Sequence, residues 1–106
     1  MSTFLSPKRT IAELEELRRL TGDENGAQRV AFTKNWSAAR SFLRGKLQSL
    51  PVEIHPDAAG NLWATMKGAS PRELLIGGHI DSVPNGEWLD GCLNTLAAVE
   101  IGRAHV

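Results

Sequence analysis

One short run restricts the possible folds of this chain more than any other feature. "ELLIGG", Glu73 to Gly78, is apolar from Leu74 to Ile76, too short for a helix, and closed by two glycines. A continuous apolar run of this kind suits a central strand buried on both faces, and such a strand needs helices above and below it. The rest of the chain has to supply that cover.

Thr10 followed by Glu13 forms a capping-box pattern, and Ile11, Leu14 and Leu17 then recur at helical spacing. The spacing predicts a helix over about residues 10–21, ended by the polar cluster "TGDENG". A second helix is expected after Thr33, with Trp36, Ala39, Leu43, Leu47 and Leu50 on one face and Pro51 as its stop. "PVEIH" and "NLWATMK" alternate with period two around the turn cluster "PDAAGN", which predicts an antiparallel pair. From about Cys92, Leu93, Leu96, Ala97 and Glu100 return to helical register. The order helix, helix, strand, strand, strand, helix gives the α/β class with a mixed sheet. Six elements do not close a doubly wound domain, so we expect the N-terminal part of a larger, incomplete one.

The chain's 106 residues allow one modest core. Twelve basic residues balance twelve acidic ones, which leaves no electrostatic footprint for nucleic acid or an anionic membrane. Cys92 is the single cysteine, so no internal disulfide can form, and we read it as a small buried hydrophobe. The opening "MSTFLSPKRT" lacks the apolar core of a secretory signal, and a cytoplasmic location is expected.

Chemistry concentrates in "GGHIDSVPNGEWLDG", Gly77 to Gly91. His79 is expected at the C-terminal end of the buried strand, where open α/β sheets bind their ligands. Asp81, two residues on, falls on the same face in extended chain and can accept from the ring N–H of His79 that faces away from a metal. The "VPNG" turn folds the chain back, and Asp90 is expected at or near the N-cap of the final helix. Imidazole plus carboxylate suits zinc, manganese or cobalt better than calcium or magnesium. His-x-Asp alone is a weak signal and Asp90 alone is an ordinary cap; only the set favours a metal site. Ser82 has no partnered His–Asp set, and Gly77-Gly78 lacks the Lys-Ser/Thr of a phosphate loop. Trp88 is open to two readings, a pocket wall or a core residue.

The stretch "GGHIDSVPNGEWLDGCLNTLAAVE" resembles the first metal-binding segment of the N-carbamoyl-L-amino-acid hydrolases. That group includes β-ureidopropionases and allantoate amidohydrolases, within the dinuclear-zinc aminoacylase and carboxypeptidase superfamily. The resemblance continues through "GAQRVAFT", "AARSFLRGKL" and "DAAGNLWAT", over about residues 11–100. It implies a zinc-hydrolase catalytic domain with two divalent ions, zinc first, with manganese, cobalt or nickel as substitutes. His79 then ligates one ion, Asp90 bridges both, and Asp81 orients His79. The implied reaction is hydrolysis of a linear ureido or amide C–N bond by metal-activated water, with N-carbamoyl amino acids as substrates. A dipeptidase or N-acyl amino acid deacylase is the alternative within the superfamily. The implied partners are a small-molecule substrate and a second copy of the parent enzyme, bound through a domain absent here.

Glu87 and Asn94 stand where the family commonly has glycine. The family's general base, its later ligands and its substrate-carboxylate arginine have no counterpart before Val106, and neither His55 nor His105 matches a ligand position. With two ligands the site is incomplete, so an inactive fragment that binds metal weakly is a further expectation. Residues 1–100 are expected to be the native portion. Ile101–Val106, "IGRAHV", is also the translation of a common sequencing-adapter string, which makes these six residues a suspected non-native tail.

Overall fold

A computed structural model describes residues 4–105; Met1 to Thr3 and Val106, the last residue of the suspected tail, lie outside the described part. Helix α1 spans Pro7–Thr21. It starts three residues earlier than the capping box suggests, because Ser6 is the N-cap: its hydroxyl accepts from the Arg9 N–H, and Pro7 sits in the first turn, where a missing N–H costs nothing. Thr10 is therefore inside the helix. Its buried face is Thr10, Glu13, Leu14, Leu17 and Thr21, and Ile11 is left on the open side.

The "TGDENG" cluster is a small hairpin, β1 (Gly22–Asp23) paired antiparallel with β2 (Gly26–Ala27). Helix α2, Lys34–Leu47, is capped by the Thr33 hydroxyl and buries the expected Ala39, Leu43 and Leu47. Strands β3 (Val52–Pro56) and β4 (Leu62–Met66) form the expected antiparallel pair, with Ile54 opposite Ala64. Asp57 organises their turn. Its carboxylate accepts from the N–H groups of Ala59 and Asn61, the Asn61 amide and the Trp63 indole, and these bonds hold it at about 2. Helix α3 covers Cys92–Ala104.

The three helices enclose one core, in which Leu14 and Leu17 meet Leu43, Leu47, Leu96 and Val99. Val52, Ile54 and Leu62 of the β3–β4 pair pack on its margin. The charged residues α1 and α3 bury between them are paired. Arg9 and Arg103 both hold Glu100, at 2.6 and 2.9 Å, and Arg103 also binds Glu13 at 2.6 Å. The α/β class therefore holds. No helix among the described residues is long and apolar enough to cross a membrane.

The run from Glu73 to His79 departs from expectation. It forms no strand, and Leu74 and Leu75 are 84% and 76% exposed. Among the described residues both sheets are two-stranded and antiparallel, and neither offers this run a neighbour. A strand without partners leaves its N–H and C=O groups to water, so the local pattern finds no ladder to join.

Candidate metal centre

After Glu73 the chain passes the N-terminus of α3. At Gly78 it comes so close that a Cβ would lie 2.8 Å from the Gly91 carbonyl and 3.1 Å from the Thr95 hydroxyl. His79 follows, its ring against Gly91, where a Cβ would fall 2.4–2.6 Å from three ring atoms. Gly91 also has φ +75°, a backbone conformation L side chains rarely adopt. One glycine thus both starts the helix and makes room for the imidazole. It is the N-cap residue, so Asp90 lies one position before the cap and makes no capping hydrogen bond. Asp90 is thus near the N-cap, as expected, but is not the capping residue itself, and its side chain is 71% exposed.

Beyond His79 the burial alternates. Ile80 and Ser82 turn inward, whereas His79, Asp81 and Val83 turn out. His79 Nδ1 lies 3.0 Å from the Asp81 carbonyl oxygen and 3.2 Å from its carboxylate Oδ1. Both neighbours are acceptors, which assigns the ring proton to Nδ1 and leaves the lone pair on Nε2. Nε2 in turn lies 3.7 Å from Asp90 Oδ2. That is too long for a hydrogen bond. It is near the spacing of roughly 3.4 Å that two donors take on one tetrahedral ion with bonds of about 2.0–2.1 Å. The donor chemistry of His79 and Asp90 therefore fits a borderline divalent metal. Among the described residues no group of three or more His, Cys, Asp or Glu side chains is placed to hold one.

The loop carrying these residues is held from the far side by residues 27–29, which sequence reasoning passed over. Ala27 and Gly86 exchange two backbone hydrogen bonds, at 2.8 and 2.9 Å. The Gln28 amide accepts from the Asn85 N–H and donates to the Asn85 side chain. Asn85 adopts φ 56°, which completes the "VPNG" turn. The Arg29 N–H donates to the Ser82 hydroxyl, and the Ser82 N–H donates to the Arg29 carbonyl, both at 2.9 Å. An arginine alone in the otherwise uncharged stretch from Gly26 to Thr33 was the available signal.

Several neighbours have structural roles. Cys92 is fully buried, donates to the Trp88 carbonyl, and has its thiol pushed up by burial, as the reading of a small hydrophobe requires. Trp88 packs on the core and lies under the Arg18 guanidinium at 5.0 Å. Glu87 lines a shallow hollow with Arg18 and Trp88.

No family model matches the chain. Individual relatives do. The N-carbamoyl-L-amino-acid amidohydrolase of Paenarthrobacter aurescens is 31% identical over 86% of this chain and 23% of its own length. That of Geobacillus stearothermophilus is 36% identical over 72% of this chain and 19% of its own. The allantoate amidohydrolase of Bacillus subtilis is 35% identical over the same two shares, 72% and 19%. The crystal structure of a hydantoinase/carbamoylase-family amidase from Burkholderia phymatum superposes with a TM-score of 0.85 at 29% identity, covering 98% of this chain and 26% of that one. The chain is homologous to a stretch of the carbamoylase-type amidohydrolases. It spans about a fifth to a quarter of the length of the curated relatives it matches. The superposition takes in almost the whole of this amidohydrolase homologue.

Proposed function

We propose that the chain supplies the first metal-binding segment of an amidohydrolase that cleaves the ureido C–N bond of N-carbamoyl amino acids. The observation that carries this reading is the arrangement around one imidazole, with acceptors of Asp81 at Nδ1 and the Asp90 carboxylate 3.7 Å from Nε2. The relatives' names supply the substrate class. In this reading His79 and Asp90 hold metal, and residues 1–100 form the N-terminal portion of a larger catalytic domain.

A pair of zinc ions would acidify a water and polarise the scissile carbonyl. The residues of this chain prepare for that. Asp81 keeps the proton on Nδ1, so the Nε2 lone pair stays directed outward. Gly91 leaves space for the ring, and Asp90 offers both carboxylate oxygens from an exposed position ahead of α3. With two donors, and no third His, Cys, Asp or Glu placed to complete a metal group among the described residues, the 106-residue chain alone is expected to bind zinc weakly and turn over nothing.

Zinc titration of the chain, followed through the His79 ring and Asp90 carboxylate resonances, tests the ligand assignment. Both should shift together, and a titration that moves neither removes the metal reading. Assays of the intact gene product on N-carbamoyl amino acids, allantoate and dipeptides test the substrate class. Chelator-sensitive turnover should be fastest on an N-carbamoyl amino acid, and a preference for dipeptides would move the enzyme to the peptidase branch.

A further inference from the structure

Arg29 is the largest fully buried side chain, with 0% exposure, and no carboxylate pairs with its guanidinium among the described residues. Burying a cation without an anion is costly unless its donors are well used. Its hydrogen bonds show what it connects. Nε donates to the Ile80 carbonyl at 2.8 Å, one terminal nitrogen faces the Thr21 hydroxyl at 3.4 Å, and the other faces Cys92 Sγ at 3.4 Å. The backbone of the same residue exchanges bonds with Ser82.

Arg29 therefore grips the chain on both sides of Asp81 and reaches the first residue of α3, two positions beyond Asp90. Alternation does the rest. Holding Ile80 and Ser82 inward obliges His79 and Asp81 to face outward together. The guanidinium also ties that strand-like segment to the helix start against which the His79 ring lies. A fork of donors in fixed geometry can serve two such partners at once, which a lysine ammonium on a flexible stem cannot reproduce.

We propose that Arg29 is a positioning residue, which sets the tautomer and aim of His79 by clamping Ile80, Ser82 and Cys92 from beneath. The inference rests on reading His79 and Asp90 as metal ligands. Its consequence for the imidazole is measurable without metal, so the two can fail separately.

The test uses the full chain and three variants, Arg29→Lys, Ser82→Ala and Thr21→Val, with long-range ¹H–¹⁵N spectra of the His79 ring as the readout. In the unsubstituted chain the neutral ring should be mostly the Nδ1–H form. Arg29→Lys and Ser82→Ala should return it toward the mixture of a free imidazole, and zinc binding should weaken by about tenfold or more. Thr21→Val removes a guanidinium contact remote from the site, so it should lower the melting temperature and leave the ring unchanged. If Arg29→Lys does not fold, Ser82→Ala decides by the same spectra. A His79 ring that keeps its Nδ1–H form in the folded variants, whatever their melting temperatures, would make Arg29 only a core residue and overturn the proposal.

Discussion

The seam between α1 and α3 and the loop from Gly77 to Gly91 use charged residues in opposite ways. In the seam every buried charge has a partner: Glu13 and Glu100 are 6% and 3% exposed, and both are held by arginine. In the loop, a half-exposed Asp81 and a largely open Asp90 stand around one imidazole, and the chain beside them follows no regular ladder. A paired, desolvated carboxylate is costly to strip of its partner, whereas an exposed, underused one remains available to a ligand. The two regions should accordingly respond to different perturbations.

The largest difference is expected from apolar truncation. Leu17 of α1 is 0% exposed among Leu14, Leu43 and Leu96, so Leu17→Ala should cost about 2–5 kcal/mol in denaturant unfolding. Leu75→Ala, in the loop's apolar approach, should change stability by no more than about 0.5 kcal/mol. A large loss from Leu75→Ala would mean that this run is buried in solution and would erase the contrast.

Acid should open the seam next. Arg9 above all, with help from Arg103 and the Ser6 N–H, holds the Glu100 carboxyl at about 2. Because the folded value is depressed, the stabilisation is complete above the ordinary glutamate range and is lost as pH falls from there through about 2. The amount is about 3 kcal/mol for this nearly inaccessible group. Melting temperatures measured between pH 6 and 2 should fall in that window, and Glu100→Gln should flatten the fall. An unchanged acid limb in Glu100→Gln would locate the titration elsewhere.

How far each region could be read from sequence follows from how local its causes are. Helix α2 and the β3–β4 pair were legible because Ala39, Leu43 and Leu47, or Val52 and Ile54, declare their period within a few residues. Helix α1 was legible in existence but displaced at its start, since Ser6-Pro7 and Thr10…Glu13 are competing caps a few residues apart; the Ser6 hydroxyl takes the cap, and Glu13 is buried against Arg103. The pairing of His79 with Asp81 was readable at two residues' separation. The contacts of Ala27, Gln28 and Arg29 with residues 80–86 span more than fifty positions and leave no periodic trace. The run at 73–79 shows the reverse case, a correct local pattern whose outcome depends on partners not found among the described strands.

Gly91→Ala tests the loop directly. The new methyl would enter the space of the His79 ring, at a φ of +75° that alanine avoids, so a cost of about 1–3 kcal/mol is expected. The informative part is where the ring goes. Loss of the nuclear Overhauser contacts between His79 and Asp81, with the α1–α3 seam unaffected, would show that one glycine holds the imidazole in place. Retained contacts would mean that the helix start moves instead.

The smallest effect on stability, and the sharpest on ligand binding, is expected at Asp90. Its carboxylate is mostly exposed and lies 3.7 Å from His79 Nε2, beyond hydrogen-bond range. Asp90→Asn keeps the shape and removes the charge, so unfolding should shift by no more than about 0.5 kcal/mol. Zinc should nevertheless bind at least about tenfold more weakly, read from the His79 ring resonances, because a neutral amide replaces an anionic ligand. Glu100→Gln should do the converse, lowering stability with little change in zinc affinity. If Asp90→Asn instead destabilised the fold, Asp90 would belong with Glu13 and Glu100 as a structural carboxylate. If it left zinc binding intact, the exposed carboxylate would have no claim to the metal, and His79 would have to find its second donor elsewhere.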